Sequence, residues 1–322
     1  MASAPLTDDP ARSQADTRRA HRRALLLMLL TATLWSTAGV VTRLLSPELQ
    51  AEGRFEITFW RSLFAALFVA GTLLLVSRDG LRGVRAAGWP GLLSGSMWAV
   101  MFVCFMLALT LTTVANTLLV MSVGPLLTAL LARVVLGTPI PVRTLVAIAA
   151  ATAGMTWMFA SSGGDGAFGG THLAGMLVAF AVPLASSVNL VTLNSVRAQV
   201  DLVPAVFIGG VLSAAAMLPF ALPLQAGLRD IALLALLGFF QLGLPCMLMI
   251  RAARHLSAPE IALLALLEVL LGPIWAWVGA GEVPATATLY GGGIVLAALV
   301  FNEVAGLRTD RSAAERSPAG VA

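Results

Sequence analysis

The chain of 322 residues has no lysine, one tyrosine, two cysteines and three histidines, and only 11% of its residues are charged. A soluble domain averages about 25% charged residues. With 58% hydrophobic residues and a mean hydropathy of +0.90, the chain has too little polar surface to cover its apolar residues in water. The expected class is an all-α integral membrane protein. Without lysine there is no GxxxxGK[ST] phosphate loop, which excludes an ATP-driven motor in this chain. Cys104 and Cys246 are isolated inside apolar runs, and His21, His172 and His255 are scattered, so no metal site and no cofactor are expected. Both cysteines read as packing residues. A net charge of +4 and a pI near 10.3 raise the question of nucleic acid. The arginines form no basic face and are not interleaved with aromatics, so no nucleic-acid partner is expected.

What the sequence has is long apolar runs. A membrane helix needs roughly 20 mostly apolar residues. Ten spans are expected, at about 24–44, 56–77, 88–109, 113–135, 143–160, 171–193, 203–223, 230–250, 258–279 and 286–305. Turn-forming stretches separate them, among them TPIP at 138–141, SSGGDGAFGG at 161–170 and GEVP at 281–284. The polar stretch before the first run resembles the start of a signal peptide. The apolar run that follows extends to Val41 without a convincing cleavage site, so it reads as a retained first span.

The arginines set the orientation. With both termini in the cytoplasm, 16 of the 20 fall in the tails, their membrane ends and the even-numbered connections. Arg54 and Arg229 lie on the other side, while Arg43 and Arg61 lie at or inside spans. This is a strong positive-inside bias. It places a basic tail (1–23) and a disordered tail (306–322) in the cytoplasm, and the Gly-rich linker 161–170 outside.

The run 113–141 resembles 257–285, with an offset of 144 or 148 according to which glycine signals are matched. The two offsets differ by about one helical turn. A five-helix unit crosses the membrane an odd number of times, so a second copy runs the opposite way. Units at 24–160 and 171–305 would form two inverted repeats, an arrangement common in secondary transporters.

These features together carry a resemblance. LLTATLWSTAGVVTRLL (29–45), FWRSLFAALF (59–68), ALTLTTVAN (108–116), LLEVLLGPIWAWVGAGE (266–282) and GGGIVLAAL (291–299) resemble the EamA-type carriers of the drug/metabolite transporter superfamily. The resemblance covers about residues 24–305. It implies a ten-helix carrier that exports amino acids or related metabolites across the bacterial inner membrane. This chain departs from the family pattern at Thr138, where an acidic residue is usual, although the second half keeps Glu282. It has Val269 after Glu268, where Glu-Pro is frequent.

The intramembrane charges are the first candidates for a site. Glu268 lies beside a stripe of small residues, Ala258, Ala262, Ala265, Gly272, Ala276 and Gly279, that lets helices approach closely. It should face the bundle. Pro273, four residues after Val269, frees a carbonyl that must find a partner or line a cavity. Glu268 reads as a substrate or proton site, with a structural hydrogen bond as the alternative. Arg61 could meet a substrate carboxylate, bond carbonyls, or pair with Glu48, Glu52 or Glu56; snorkelling to the interface is the plainer reading. Glu260 reads as a first-turn capping acid. Asn116 and Asn189 are the better site candidates among the amides, with Asn194 and Gln241 as interhelical bonds. Trp35, Trp98 and Trp275 could line a site, while Trp60 and Trp89 read as interfacial anchors. Pro125, Pro183, Pro245, Gly272 and Pro273 are the expected helix breaks or hinges.

Three function classes compete. A carrier fits the repeat and the inward charge; its partners would be a small-molecule substrate and the bilayer, with Glu268 as the candidate site for proton coupling. A facilitator or a drug or amine efflux carrier of the same fold is the alternative. A channel needs rings of filter groups about an axis, and an intramembrane enzyme needs an assembled nucleophile and base. Neither pattern is present in the sequence. Composition leaves the oligomeric state open.

Overall fold

A computed structural model describes residues 10–76, 82–136, 142–161, 170–196, 202–256, 258–286, 289–298, 300–301 and 304–305. Thr138, residues 162–169 of the Gly-rich linker and the C-terminal tail 306–322 lie outside the described residues. The described residues are helical, joined by turns, and include no strand. The helices are α1 (Pro10–Ser36), α2 (Ala38–Arg43), α3 (Pro47–Glu52), α4 (Arg54–Val76), α5 (Arg82–Ala86), α6 (Gly88–Leu111) and α7 (Val114–Met121). They continue with α8 (Gly124–Leu136), α9 (Val142–Ser161), α10 (Gly170–Val196), α11 (Val203–Ala221), α12 (Leu228–Leu236), α13 (Leu244–Ala252) and α14 (Ala258–Ala280). A π-helical stretch, Leu237–Gly243, joins α12 to α13.

Among the described residues, seven stretches are long and apolar enough to cross a membrane: Arg18–Arg43, Arg54–Leu75, Gly88–Leu111, Val114–Val135, His172–Leu193, Val203–Ala221 and Leu228–Ala252. The expected spans at 258–279 and 286–305 correspond to shorter apolar helices, Leu267–Ala280 and Leu289–Ala298. Helix α9 occupies the place of the fifth expected span but is not among the seven.

The first helix starts earlier than the hydropathy indicates. Helical structure begins at Pro10, because the polar segment after it holds Ala, Arg and Gln and neither Gly nor Pro. The same run breaks at Thr37. The Ser36 hydroxyl donates to the Thr33 carbonyl (2.7 Å) and the Thr37 hydroxyl to the Leu34 carbonyl (2.7 Å). Such back-bonding competes with the helical ladder.

The proline positions differ in effect. Pro125 is the second residue of α8, just after the break between α7 and α8, and Pro245 is the second residue of α13, just after the π stretch. Helices α10 and α14 continue through Pro183 and Pro273. The breaks expected at Pro183 and at Gly272-Pro273 are therefore absent from the helical path.

Much of the core forms between the two halves of the sequence. Helix α6 packs against α10 and α11, α4 against α11 and the π stretch, and α1 against α13 and α14. Glycines allow some of these contacts. A Cβ on Gly210 would lie 3.1 Å from the Ser62 carbonyl oxygen, and beside that contact the Ser62 and Ser213 hydroxyls are 2.7 Å apart. The small-residue stripe of α14 faces α7, α1 and α2: Gly272 abuts Leu118, Gly279 abuts Val40, and Ala276 is buried.

Candidate functional site

The site is built around Arg61, two turns into α4 and 1% exposed. An arginine at this depth must find donors' partners inside the protein, because hydrocarbon offers none. Gln241 supplies most of them. Its side-chain oxygen accepts from Arg61 Nε (3.1 Å) and Nη2 (2.7 Å), and its Nε2 donates to the Trp35 carbonyl (3.1 Å). One amide thus ties α4, α1 and the π stretch together. The guanidinium lies 5.5 Å from the Phe105 ring centre on α6, within cation–π range. Arg61 Nη1 is buried and has no hydrogen-bond acceptor.

Glu268, on α14, is the acid electrostatically coupled to Arg61. It is half-buried and, among the described residues, has no hydrogen bond and no ion pair within 4 Å. Cys246, on α13, is buried within electrostatic range of the same arginine. On α14, Trp275 donates its indole N–H to the Ser36 hydroxyl (3.0 Å), at the break between α1 and α2. Arg61 thus keeps a spare donor over the Phe105 ring, within electrostatic range of the Glu268 carboxylate. This arrangement can bind a small molecule through opposite charges and an apolar body.

The π stretch explains how Gln241 reaches Arg61. Pro245, four residues on, lacks the N–H that an α-helix would give to the Gln241 carbonyl. The local bonding shifts to i+5, as in the bond from Leu244 N–H to the Phe239 carbonyl. Gly238 then allows the backbone to lie against α4, where a Cβ would abut Phe64 and fall 2.7 Å from the Arg61 carbonyl oxygen. Gly238→Ala is expected to cost about 1–3 kcal/mol through overpacking. A lowered melting temperature in detergent, with Gly71→Ala unchanged, checks this; a Cβ at Gly71 meets nothing within 4 Å.

The other sequence candidates occupy different places. Asn189 accepts from the Ser94 hydroxyl (2.7 Å) at the α6–α10 contact. Asn116 donates to the Thr112 hydroxyl (3.3 Å), and its backbone N–H is capped by Thr113 (3.1 Å). Trp98 packs over Gly209 between α6 and α11, and its buried indole N–H has no acceptor. Fully buried Arg61 does not snorkel to the interface and, among the described residues, pairs with none of the glutamates weighed for it. Buried Glu56 instead accepts from the backbone N–H groups of Gln225 and Ala226 and from the Trp60 indole, while Glu48 and Glu52 are exposed. Trp60 is therefore held by a hydrogen bond, whereas Trp89 is 72% exposed.

Sequence reading missed Gln241, Phe105 and Ser36 as members of the site. The available signal was a single amide inside an apolar run, flanked by Gly238 and Gly243 and followed by Pro245.

A second polar cluster closes one end of the bundle. Arg43 Nε pairs with Glu282 Oε2 at 2.7 Å, and Arg43 Nη2 donates to the Thr112 carbonyl at 3.1 Å. Glu282 Oε1 accepts from the Val114 N–H (2.7 Å), capping α7. These contacts join α2, the α6–α7 link and the chain after α14. Removing the carboxylate with Glu282→Ala costs about 0.5–2 kcal/mol as a lost cap. The ion pair adds little because it is partly exposed to solvent. A fall of a few degrees in melting temperature, largely restored by Glu282→Gln, is the expected result.

A groove of about 490 Å3 lies elsewhere, between α6, α8 and α10. Its lining includes Val100, Leu127, Leu130, Leu184 and Val188, and its one polar side chain, Ser187, is already bonded to the Pro183 carbonyl. It lacks the polar groups that orient a ligand. Among the described residues no cluster of three His, Cys, Asp or Glu side chains could hold a metal.

The model of the EamA-like transporter family matches this chain twice, over residues 22–160 and 173–303. A solved structure, described only as the crystal structure of a protein, has a TM-score of 0.64 at 19% identity, covering 92% of this chain and 99% of that one. At this identity the similarity concerns the fold alone. No curated protein matches the sequence.

Proposed function

Because this chain belongs to the EamA-like transporter family, and so is a multi-pass membrane transporter of the drug/metabolite type, we propose that it is a secondary carrier that exports amino acids or related small metabolites. Cargo would cross the bacterial inner membrane by alternating access through a centre formed by Arg61, Glu268, Trp35, Phe105 and Trp275. The observation that carries this reading is the buried Arg61 donor without an acceptor, electrostatically coupled to an acid without a hydrogen bond. An idle charge at a membrane helix centre costs roughly 2.5–3.5 kcal/mol on insertion scales. A zwitterion would satisfy the spare Arg61 donor with its carboxylate.

The reading uses ten spans in two inverted halves, with both termini cytoplasmic. Support comes from the doubled family match and the distribution of arginine. In this orientation the Arg43–Glu282 cluster closes the outer end, and cargo reaches Arg61 when the halves part. A second reading, efflux of organic amines, is favoured by the half-buried Glu268 carboxylate, which makes no hydrogen bond among the described residues and would suit a cation.

Counterflow into proteoliposomes, with radiolabelled amino acids, nucleosides and organic amines, tests both readings. Saturable counterflow of amino acids supports the first. Counterflow of amines alone supports the second and removes amino-acid export.

A further inference from the structure

The Arg61 guanidinium presents two edges, and the protein occupies only one. Nε and Nη2 share the Gln241 oxygen at 3.1 and 2.7 Å, while Nη1 has no acceptor. Gln241 is 2% exposed and cannot turn freely, because its own N–H donates to the Trp35 carbonyl. The π stretch and the close approach of Gly238 to the Arg61 carbonyl fix the distance between the two side chains. A neutral amide in this place satisfies donors without cancelling charge. A carboxylate there would form a bidentate ion pair and neutralise the arginine. A smaller apolar side chain would leave the Nε/Nη2 edge open to cargo or to Glu268.

We propose that Gln241 is a specificity-determining positioning residue, which holds one edge of Arg61 and leaves the Nη1 edge, still fully charged, for an oxyanion on the cargo. This rests on the reading of Arg61 as part of the cargo site. Selectivity for a carboxylate then depends on a residue that does not itself touch cargo.

The test compares phenylalanine with phenylalaninamide, which share an aromatic body and differ in the carboxylate. Counterflow is measured in proteoliposomes of the full chain with wild type, Gln241→Glu, Gln241→Ala and Arg61→Gln. For Gln241→Glu, the KM for phenylalanine is expected to rise at least tenfold, with little change for phenylalaninamide. Parallel changes for the two compounds, or none, would overturn the proposal. Loss of phenylalanine counterflow in Arg61→Gln without any effect of either Gln241 variant would retain the cargo site and remove the role of Gln241. Unaltered counterflow in Arg61→Gln would remove both.

A readout that needs no cargo accompanies these assays. Phenylglyoxal, which reacts with guanidinium nitrogens, is applied to the purified full chain, and modification of Arg61 is resolved by peptide mass. Gln241→Ala should be modified at least five times faster than wild type, because a second edge is uncovered. Equal rates would overturn the proposal even if no compound in the panel is carried.

Discussion

Arg61→Gln is expected to lower kcat/KM for a carboxylate-bearing cargo by at least about 30-fold, or about 2 kcal/mol. The substitution removes a buried positive charge that has no equivalent among the side chains around it. It also leaves the Gln241 oxygen and the Phe105 ring without their cation. Glutamine preserves much of the side-chain length, so packing against α6 and the π stretch should survive. Arg61→Lys is the informative partner variant: it keeps the charge and loses the planar fork that Gln241 grips on one side. Lysine should recover part of the lost rate, with a raised KM. Counterflow with a dilution series of labelled phenylalanine measures both variants. Full activity in Arg61→Gln would show that the buried charge serves only the fold.

The second large effect concerns Glu268. If a proton accompanies cargo, Glu268 is the acid that carries it, since Arg61 keeps its charge at any working pH. Glu268→Gln then retains the shape and some hydrogen bonding but holds no exchangeable proton. The expected result is that counterflow without a gradient persists while uptake driven by a pH gradient is lost. One proton per cargo molecule and a gradient of one pH unit support up to about tenfold accumulation, equivalent to about 1.4 kcal/mol. The variant should equilibrate cargo without accumulating it. Loss of both activities would assign Glu268 to cargo binding instead. Gradient-driven accumulation at the wild-type level would remove it from coupling.

Seven of the ten expected spans were legible as helices long and apolar enough to cross a membrane, because apolar length is a local property of the sequence. The same is true of the small-residue stripe on α14, whose period places Gly272, Ala276 and Gly279 on one side. Both intramembrane charges also stood out, since a charge inside an apolar run needs no partner to be noticed. Their partners were hidden. Arg61 meets Gln241 across 180 residues of chain, and Arg43 meets Glu282 across 239. Proximity in sequence suggested Glu56 for Arg61, but Glu56 is drawn away by the N–H groups of Gln225 and Ala226. The proline reading failed at α14 for a different reason. Pro273 removes one ladder bond, and the helix, packed on α1, α2 and α7, continues regardless. Pro245, two residues after Gly243, lacks the N–H for the α-helical bond, and the local bonding shifts into the π form.

On the proposed mechanism, Glu268 lines a water-filled path that opens to each side in turn. The most direct measurement is the accessibility of a cysteine at this position. Glu268→Cys is made with Cys104 and Cys246 replaced by serine, and the protein is placed in right-side-out and inverted membrane vesicles. A membrane-impermeant sulfonate-bearing thiosulfonate reagent is then added from outside. Reaction in both vesicle orientations, slowed by phenylalanine or another cargo identified by counterflow, is the predicted result. No reaction in either orientation, with rapid labelling of a cysteine placed in an exposed connection, would show that Glu268 is sealed within the bundle and rule out alternating access at this residue.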